Sequence, residues 1–231
     1  IERLAPVFET IKLIKQKKKE KDLIGFCGGP FTVLNYMIEK GTTRTHEKIK
    51  KFIRSNNQLS DKLIKIITDI SIEYLKKQID SGVDYIKVFE SWAGLLDGEL
   101  YKKYIIEPNK EISKEIKNYS PGTKQIFFPR GSKENYFNFI KDVKPDIISL
   151  DEEFPEKVFS YAKKNGIILQ GNLKPTTLIE GGRKLENGIK NILNKFNENK
   201  HIFNLSHGVL PQTPVENVEI LVDTIRNYNE T

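Results

Sequence analysis

Six short runs rich in β-branched and aromatic residues recur along the chain, each separated from the next by a stretch of helical periodicity, and this alternation limits the fold more than any single motif. The runs are "LIGFCG" (23 to 28), "DYIKVFES" (84 to 91), "KQIFFP" (124 to 129), "DIISLD" (146 to 151), "IILQGN" (167 to 172) and "HIFNLS" (201 to 206). Several are apolar on both faces, the pattern of a parallel sheet covered by helices. The clearest helical pattern, over 60 to 82, puts Leu63, Ile67, Ile70 and Tyr74 on one stripe, with Ser60 as the expected N-cap and Gly82 as the C-cap. The last helix is expected to open with a capping box, Thr213 capping, Pro214 in the first helical position and Glu216 reaching back. No repeat, low-complexity tract or Pro/Gly/Ser-rich linker divides the chain, so residues 1 to 231 are read as one domain.

Two architectures satisfy this pattern, an open doubly wound sheet and a (β/α)8 barrel, and in both the chemistry lies beyond the carboxyl ends of the strands. Here those ends read "CGGP", "ES", "PRG", "DEE", "GN" and "SHG". Polar groups or glycines stand at all six, which spreads the polar ring over every strand and favours the α/β TIM-type barrel. Six βα units are two short of eight. The chain starts at Ile1 and its only methionine is Met37, so the expectation is a processed chain or a fragment whose first two strands lie upstream.

With 38% apolar residues, a chain of 231 can bury roughly 70% of its unfolded surface and fold as a globule. No apolar run approaches the roughly 20 residues needed to span a bilayer, and no secretory signal opens the chain. A single cysteine, Cys27, excludes an internal disulfide framework and a multi-cysteine zinc site. These features point to the cytoplasm and to no membrane partner. The net charge of +7 suits an anionic partner, but only six of the 38 basic residues are arginines (3, 44, 54, 130, 183 and 226), and the lysines are interleaved along helix faces. The run "KQKKKEK" (15 to 21) reads as an exposed helix end with favourable dipole charge. With no arginine-rich or aromatic-interleaved motif, nucleic acid is not an expected partner.

Local motifs do not settle the chemistry. "GFCGGP" suggests a phosphate-binding turn, but its spacing is not G-x-G-x-x-G and Pro30 removes a donor; the plainer reading is a tight turn that brings the chain close to a ligand. His46, His201 and His207 are far apart and form no metal-binding pattern, while Asp151, Glu152 and Glu153 read equally well as an exposed turn and helix cap. Ser91 or Cys27 could act as a nucleophile only with a base such as His207 beside it, and no G-x-S-x-G elbow supports this. Lys87, Phe89 and Ser91 alternate along one strand and share a face. Whether that face looks into a barrel or outward to solvent is left open by the sequence.

Four blocks, "GFCGGPFTVLNYMIEKG" (25 to 41), "VFESWAGLLD" (88 to 97), "LQGNLKP" (169 to 175) and "NLSHGVLPQTPVENVEILVDTIR" (204 to 226), resemble in the same order those of the uroporphyrinogen decarboxylase family of haem biosynthesis. The resemblance implies a (β/α)8 barrel, usually a homodimer. It implies an enzyme, without cofactor or metal, that removes carbon dioxide from the four acetate side chains of uroporphyrinogen to give coproporphyrinogen. Matched motif by motif, it places the family's substrate-contacting tyrosine on Tyr36, its Ser/Thr after the "F-[DE]" strand on Ser91 and its "HG" histidine on His207. Phe26 and Phe89 are expected to form apolar walls of the same pocket, with Arg130 also lining it.

This sequence departs from the family pattern in reading "GGPFT" for "GAPWT", "GNLKP" for "GNLDP" and "LSHG" for "LGHG". The arginine-bearing loop and the aspartate given the principal catalytic roles match nothing in residues 1 to 231. The resemblance therefore implies that this chain alone does not turn over. Two alternatives remain, a related corrinoid-dependent methyltransferase, which should show H-x-C and a second cysteine on zinc, and a non-catalytic tetrapyrrole-binding barrel.

Overall fold

The structure, a computed structural model, describes residues 2 to 18, 20 to 41 and 43 to 228. Its strands are β1 (Ile24–Gly28), β2 (Tyr85–Glu90), β3 (Lys124–Pro129), β4 (Ile147–Ser149), β5 (Ile168–Gln170) and β6 (His201–Ile202), one in each expected run. Helix α1 (Ala5–Lys17) precedes β1, and α2 (Pro30–Glu39), α3 (Glu47–Ser55) and α4 (Asn57–Asp80) link β1 to β2. The segment between β2 and β3 holds α5 (Gly98–Tyr101), a π-turn (Lys102–Ile106) and α6 (Glu107–Tyr119). Helices α7 (Asn135–Val143), α8 (Lys157–Asn165), α9 (Pro175–Glu180), α10 (Gly182–Phe196) and α11 (Val215–Asn227) complete the alternation. The chain forms two compact units, Ile1–Asp146 and Ile147–Thr231.

In the first unit β1, β2 and β3 are parallel, with Phe26 opposite Lys87 and Lys87 opposite Ile126, then Gly28 opposite Phe89 and Phe89 opposite Phe128. The period of two sorts the side chains cleanly. Cys27, Ile86, Val88, Glu90, Gln125 and Phe127 are buried on the side covered by helices. There Cys27 meets Ser71 of α4, Gln125 donates to the Ser113 carbonyl of α6, and Phe127 packs on Phe139 of α7. Phe26, Lys87, Phe89 and Phe128 occupy the opposite side, which in a barrel is the inner one.

The second unit repeats the plan. Ile148 pairs with Leu169 and Leu169 with His201, and an isolated bridge from Leu173 to Leu205 carries the parallel pairing further. Its core gathers Leu173, Leu178, Leu185 and Ile189, against which Phe203, Val218, Leu221 and Ile225 pack.

Both expected N-caps are corrected. Helix α4 starts at Asn57, so Ser60 lies inside it, fully buried, with its hydroxyl lacking a hydrogen-bond partner. Its buried stripe runs through Ile64, Ile67, Ser71, Leu75 and Gln78, which leaves Ile70 52% exposed and outside the core. Gly82 does end the helix, at φ +105°, donating to the Ile79 carbonyl at 2.9 Å. Helix α11 starts at Val215 with extended Pro214 before it, so Thr213 sits too early to cap and its buried hydroxyl has no partner. The basic run beginning at Lys15 closes α1 with Lys15 and Lys17 in the last turn, as its charge pattern suggested; Lys19 lies outside the described residues.

Candidate substrate site at the strand ends

The "CGGP" turn is an anion site filled from within. Glu90, the last residue of β2, faces the helix side and places its carboxylate at the N-terminus of α2. Its Oε1 accepts the Phe31 N–H at 3.0 Å and Asn109 Nδ2 at 3.3 Å; its Oε2 accepts the Thr32 N–H at 3.0 Å and the Thr32 hydroxyl at 2.7 Å. Burial pushes its pKa up to about 7 against the pull of these donors. Glycine is required at position 29 for contact: a Cβ there would lie 2.2 Å from Glu90 Cδ. The turn thus closes on the chain's own Glu90 and not on a ligand, and the phosphate-binding reading is overturned because its donors are already taken.

On the inner face, aromatic rings form a ladder. Phe26 meets Phe89 edge-on at 5.9 Å between centroids, and Phe89 meets Phe128 at 6.3 Å. Phe26 is 60% exposed despite its size. Lys87 lies on the same face, buried, with Nζ 4.8 Å from the Phe89 centroid and 5.6 Å from that of Phe128. Desolvation lowers its pKa to about 8. This settles the question the alternation left open: Lys87 points inward and does not snorkel to solvent.

Above the ladder, the loops that follow β1, β2 and β3 bring polar side chains together. Tyr36, on α2, is exposed, and its ring stands 6.4 Å from that of Trp92. The other neighbour of Trp92 is His46, at 4.2 Å between centroids. His46 is buried, in left-handed conformation, and hydrogen-bonds through Nδ1 to Asn35 Oδ1 at 3.0 Å. Burial lowers the pKa of the ring. Ser91 is half-buried in the turn between Glu90 and Trp92. Arg130 is held by its backbone, donating to the Glu90 carbonyl at 3.1 Å and accepting from Gly94 at 3.0 Å. Its guanidinium has no partner among the described residues.

In the second unit the strand ends carry Asp151, Asn172, Ser206 and His207. Asn172 donates to the Asp151 carbonyl at 2.6 Å. Glu152 takes Lys174 at 2.9 Å and the buried Ser206 hydroxyl at 3.5 Å, and the Glu153 N–H donates to Asp151 Oδ1 at 3.3 Å, so this acidic trio forms a turn whose charge is met by a lysine. His207 is half-buried, its Nδ1 donating to the Gly208 carbonyl at 3.1 Å, which leaves Nε2 without a partner among the described residues. His201 is half-buried and engaged within its own unit: its ring stacks on Phe196 at 4.2 Å and its Nε2 bonds the Gly171 carbonyl at 2.5 Å.

Within the first unit, then, the structure gathers Tyr36, Ser91, Phe26, Phe89 and Arg130 around one set of strand ends, while His207 stands at the strand ends of the second. Sequence reasoning overlooked Glu90, Trp92, Phe128 and the role of His46. Glu90 could have been found from the run of backbone donors that "GGPFT" leaves unpaired opposite a strand-end acid. Cys27 lies on the helix-covered side, and burial pushes its thiol up to about 12, which removes it as a nucleophile or zinc ligand. Among the described residues no three His, Cys, Asp or Glu side chains converge as metal ligands.

Parallel strands alternating with helices, with polar groups beyond each carboxyl end, make this an α/β chain of the (β/α)8-barrel class, holding six of the eight βα units. The fold matches that of a methyltransferase from Methanosarcina mazei with a TM-score of 0.78 over 98% of this chain and 65% of that one, at 20% identity. A B12-independent methionine synthase from Shewanella matches with a TM-score of 0.64 at 15% identity, over 96% of this chain and 67% of that one. The chain belongs to the uroporphyrinogen decarboxylase (URO-D) family, whose model matches residues 1 to 228. Uroporphyrinogen decarboxylase of Rickettsia bellii is 42% identical over 229 residues, covering 98% of this chain and 67% of that protein. That of Orientia tsutsugamushi is 37% identical over 233 residues, covering 99% and 67%. The chain thus spans about two thirds of the length of these relatives.

Proposed function

We propose that this chain carries the substrate-holding strand ends of a uroporphyrinogen decarboxylase. The reaction removes four acetate carboxyls from uroporphyrinogen III as carbon dioxide and leaves coproporphyrinogen III. Protonating a pyrrole carbon makes the macrocycle its own electron sink, so the protein need only place carboxylates, offset transient positive charge and deliver protons. The observation that carries this reading is the inner face of the first unit. An aromatic ladder there, open to solvent at Phe26, suits the apolar pyrrole faces of the macrocycle, and the cations Lys87 and Arg130 with the hydroxyls of Tyr36 and Ser91 suit its carboxylate rim. Within the second unit, the His207 imidazole, with Nε2 uncommitted, is by itself a group suited to a carboxylate.

In this reading Phe26, Phe89 and Phe128 flank the ring system, and no cofactor or metal takes part. The aspartate and arginine to which the resemblance gives the principal roles have no match in residues 1 to 231. One cytoplasmic domain, working as a homodimer, is part of the same proposal. The 231-residue chain and a longer polypeptide containing it are each to be incubated with uroporphyrinogen under reducing conditions and chelator, and the products separated by carboxyl number. Coproporphyrinogen is expected from the longer protein and none from the short chain. Turnover by the short chain would remove the need for outside residues. Binding without loss of carboxyls by the longer protein would establish the non-catalytic alternative.

A further inference from the structure

We infer that Glu90 is a positioning residue of this site, a buried clamp that fixes Tyr36, Ser91 and Arg130 relative to one another without touching substrate; this rests on the decarboxylase reading. Three segments converge on it. Its side chain holds the first turn of α2 through Phe31 and Thr32, and Tyr36 lies one turn further along that helix. The Thr32 hydroxyl, while donating to Glu90, accepts the Trp92 N–H at 3.3 Å, which secures the residue after Ser91. The Glu90 carbonyl takes the Arg130 N–H, and Asn109 of α6 braces the carboxylate from behind. Both oxygens are thus engaged by four donors, all within the first unit.

The chemistry of these contacts requires a carboxylate of this length. Both oxygens act as acceptors, so a carboxamide would set its NH2 against an N–H or O–H donor. Gly29 is part of the device, because any side chain at that position would occupy the space of the Glu90 carboxylate. Of the residues facing this carboxylate, Thr32, Asn109 and the Phe31 amide are uncharged, and Cys27 on the same side of the sheet is a buried neutral thiol. Among the described residues no cation pairs with it, and its hold on the three segments is through hydrogen bonds.

The test is a double-mutant cycle in the polypeptide used for the decarboxylation assay. Tyr36→Phe and Ser91→Ala are each to be measured alone and on Glu90→Gln, with Glu90→Asp as the conservative variant and Gly29→Ala as a displacement that leaves the charge intact. Glu90→Gln and Gly29→Ala are expected to lower kcat/KM at least tenfold, Glu90→Asp to recover part of it, and the Tyr36 and Ser91 losses to shrink below twofold on either background. Full, additive losses on those backgrounds would overturn the inference. If Glu90→Gln does not fold, Gly29→Ala and Glu90→Asp carry the same comparison. If the unsubstituted protein releases no carbon dioxide, it is the functional reading that fails. The clamp is then judged by amide exchange: faster exchange at Phe31, Thr32 and Trp92 alone in Gly29→Ala supports it, and unchanged exchange there overturns it.

Discussion

The ammonium of Lys87 stands 4.8 Å from the centre of the Phe89 ring, buried on the face of β1 to β3 opposite the one that α4, α6 and α7 cover. A charged group held there is expensive, and its pKa falls from 10.5 to about 8. Between those two values the unfolded chain binds more protons than the folded one, so stability rises with pH from about 8 to 10.5; below about 8 the burial cost is present in full. Lys87→Met is expected to abolish that rise, a difference of up to about 3 kcal/mol between the two proteins across the window. Urea denaturation of both at several pH values measures it. On the proposed function the same substitution is expected to lower kcat/KM, because the charge that costs stability at this position is the one offered to a substrate carboxylate.

Gly94 and Gly131 bring the loops after β2 and β3 into backbone contact, and a Cβ at Gly94 would lie 2.5 Å from the Gly131 carbonyl oxygen. Backbone cannot yield as a flexible side chain can. Gly94→Ala is expected to cost about 1 to 3 kcal/mol in stability, in the range for overpacking, and to raise KM more than it lowers kcat because it displaces the Arg130 carbonyl that Gly94 holds. Thermal unfolding and steady-state kinetics separate the two effects.

Two histidines should behave in opposite ways. His207→Ala should leave the unfolding midpoint within a degree or two and reduce kcat/KM by about 10- to 100-fold, on the order of 1 to 3 kcal/mol for a lost hydrogen bond to a charged group. His201, stacked on Phe196 and bonded to the Gly171 carbonyl, should on substitution by alanine lower stability by about 1 to 3 kcal/mol with little change in KM. Parallel melting and kinetic measurements on the two variants test the assignment.

Cys27 is expected to be inert in the folded chain, since burial holds its thiol near 12 and the helix-covered side denies access. An aromatic disulfide reagent at pH 8 should find no fast-reacting thiol from it until denaturant is added. Rapid labelling of Cys27 in the native protein would mean that α4 does not cover β1.

The six strands were legible because each is a short β-branched or aromatic run bounded by turn formers, and their register then needs only the period of two. Caps were less so. Ser60 and Thr213 each satisfied a local rule, but α4 begins three residues before the first and α11 begins after a proline that separates it from the second. Ser60 is drawn into the buried face of α4, and Asn217 ties the first turn of α11 to the Leu178 and Ile179 carbonyls, contacts that the sequence does not display. At the site, the alternation placed Lys87 and Phe89 on one face without saying which way it turned; the positions of α4, α6 and α7 decide that. Glu90 escaped notice because an acid at a strand end reads as surface, and its partners Phe31 and Thr32 serve it mainly through main-chain N–H groups that any residues would supply.

The most direct measurement follows the carbon that leaves. The longer polypeptide containing this chain would be given uroporphyrinogen III labelled with ¹³C in the acetate carboxyls, under chelator and in the absence of added cofactor. Four labelled carbon dioxide molecules per macrocycle, with the propionate carboxyls retained in the product, are predicted from the four acetates. No labelled carbon dioxide, or release that stops when metal is removed, would contradict the account.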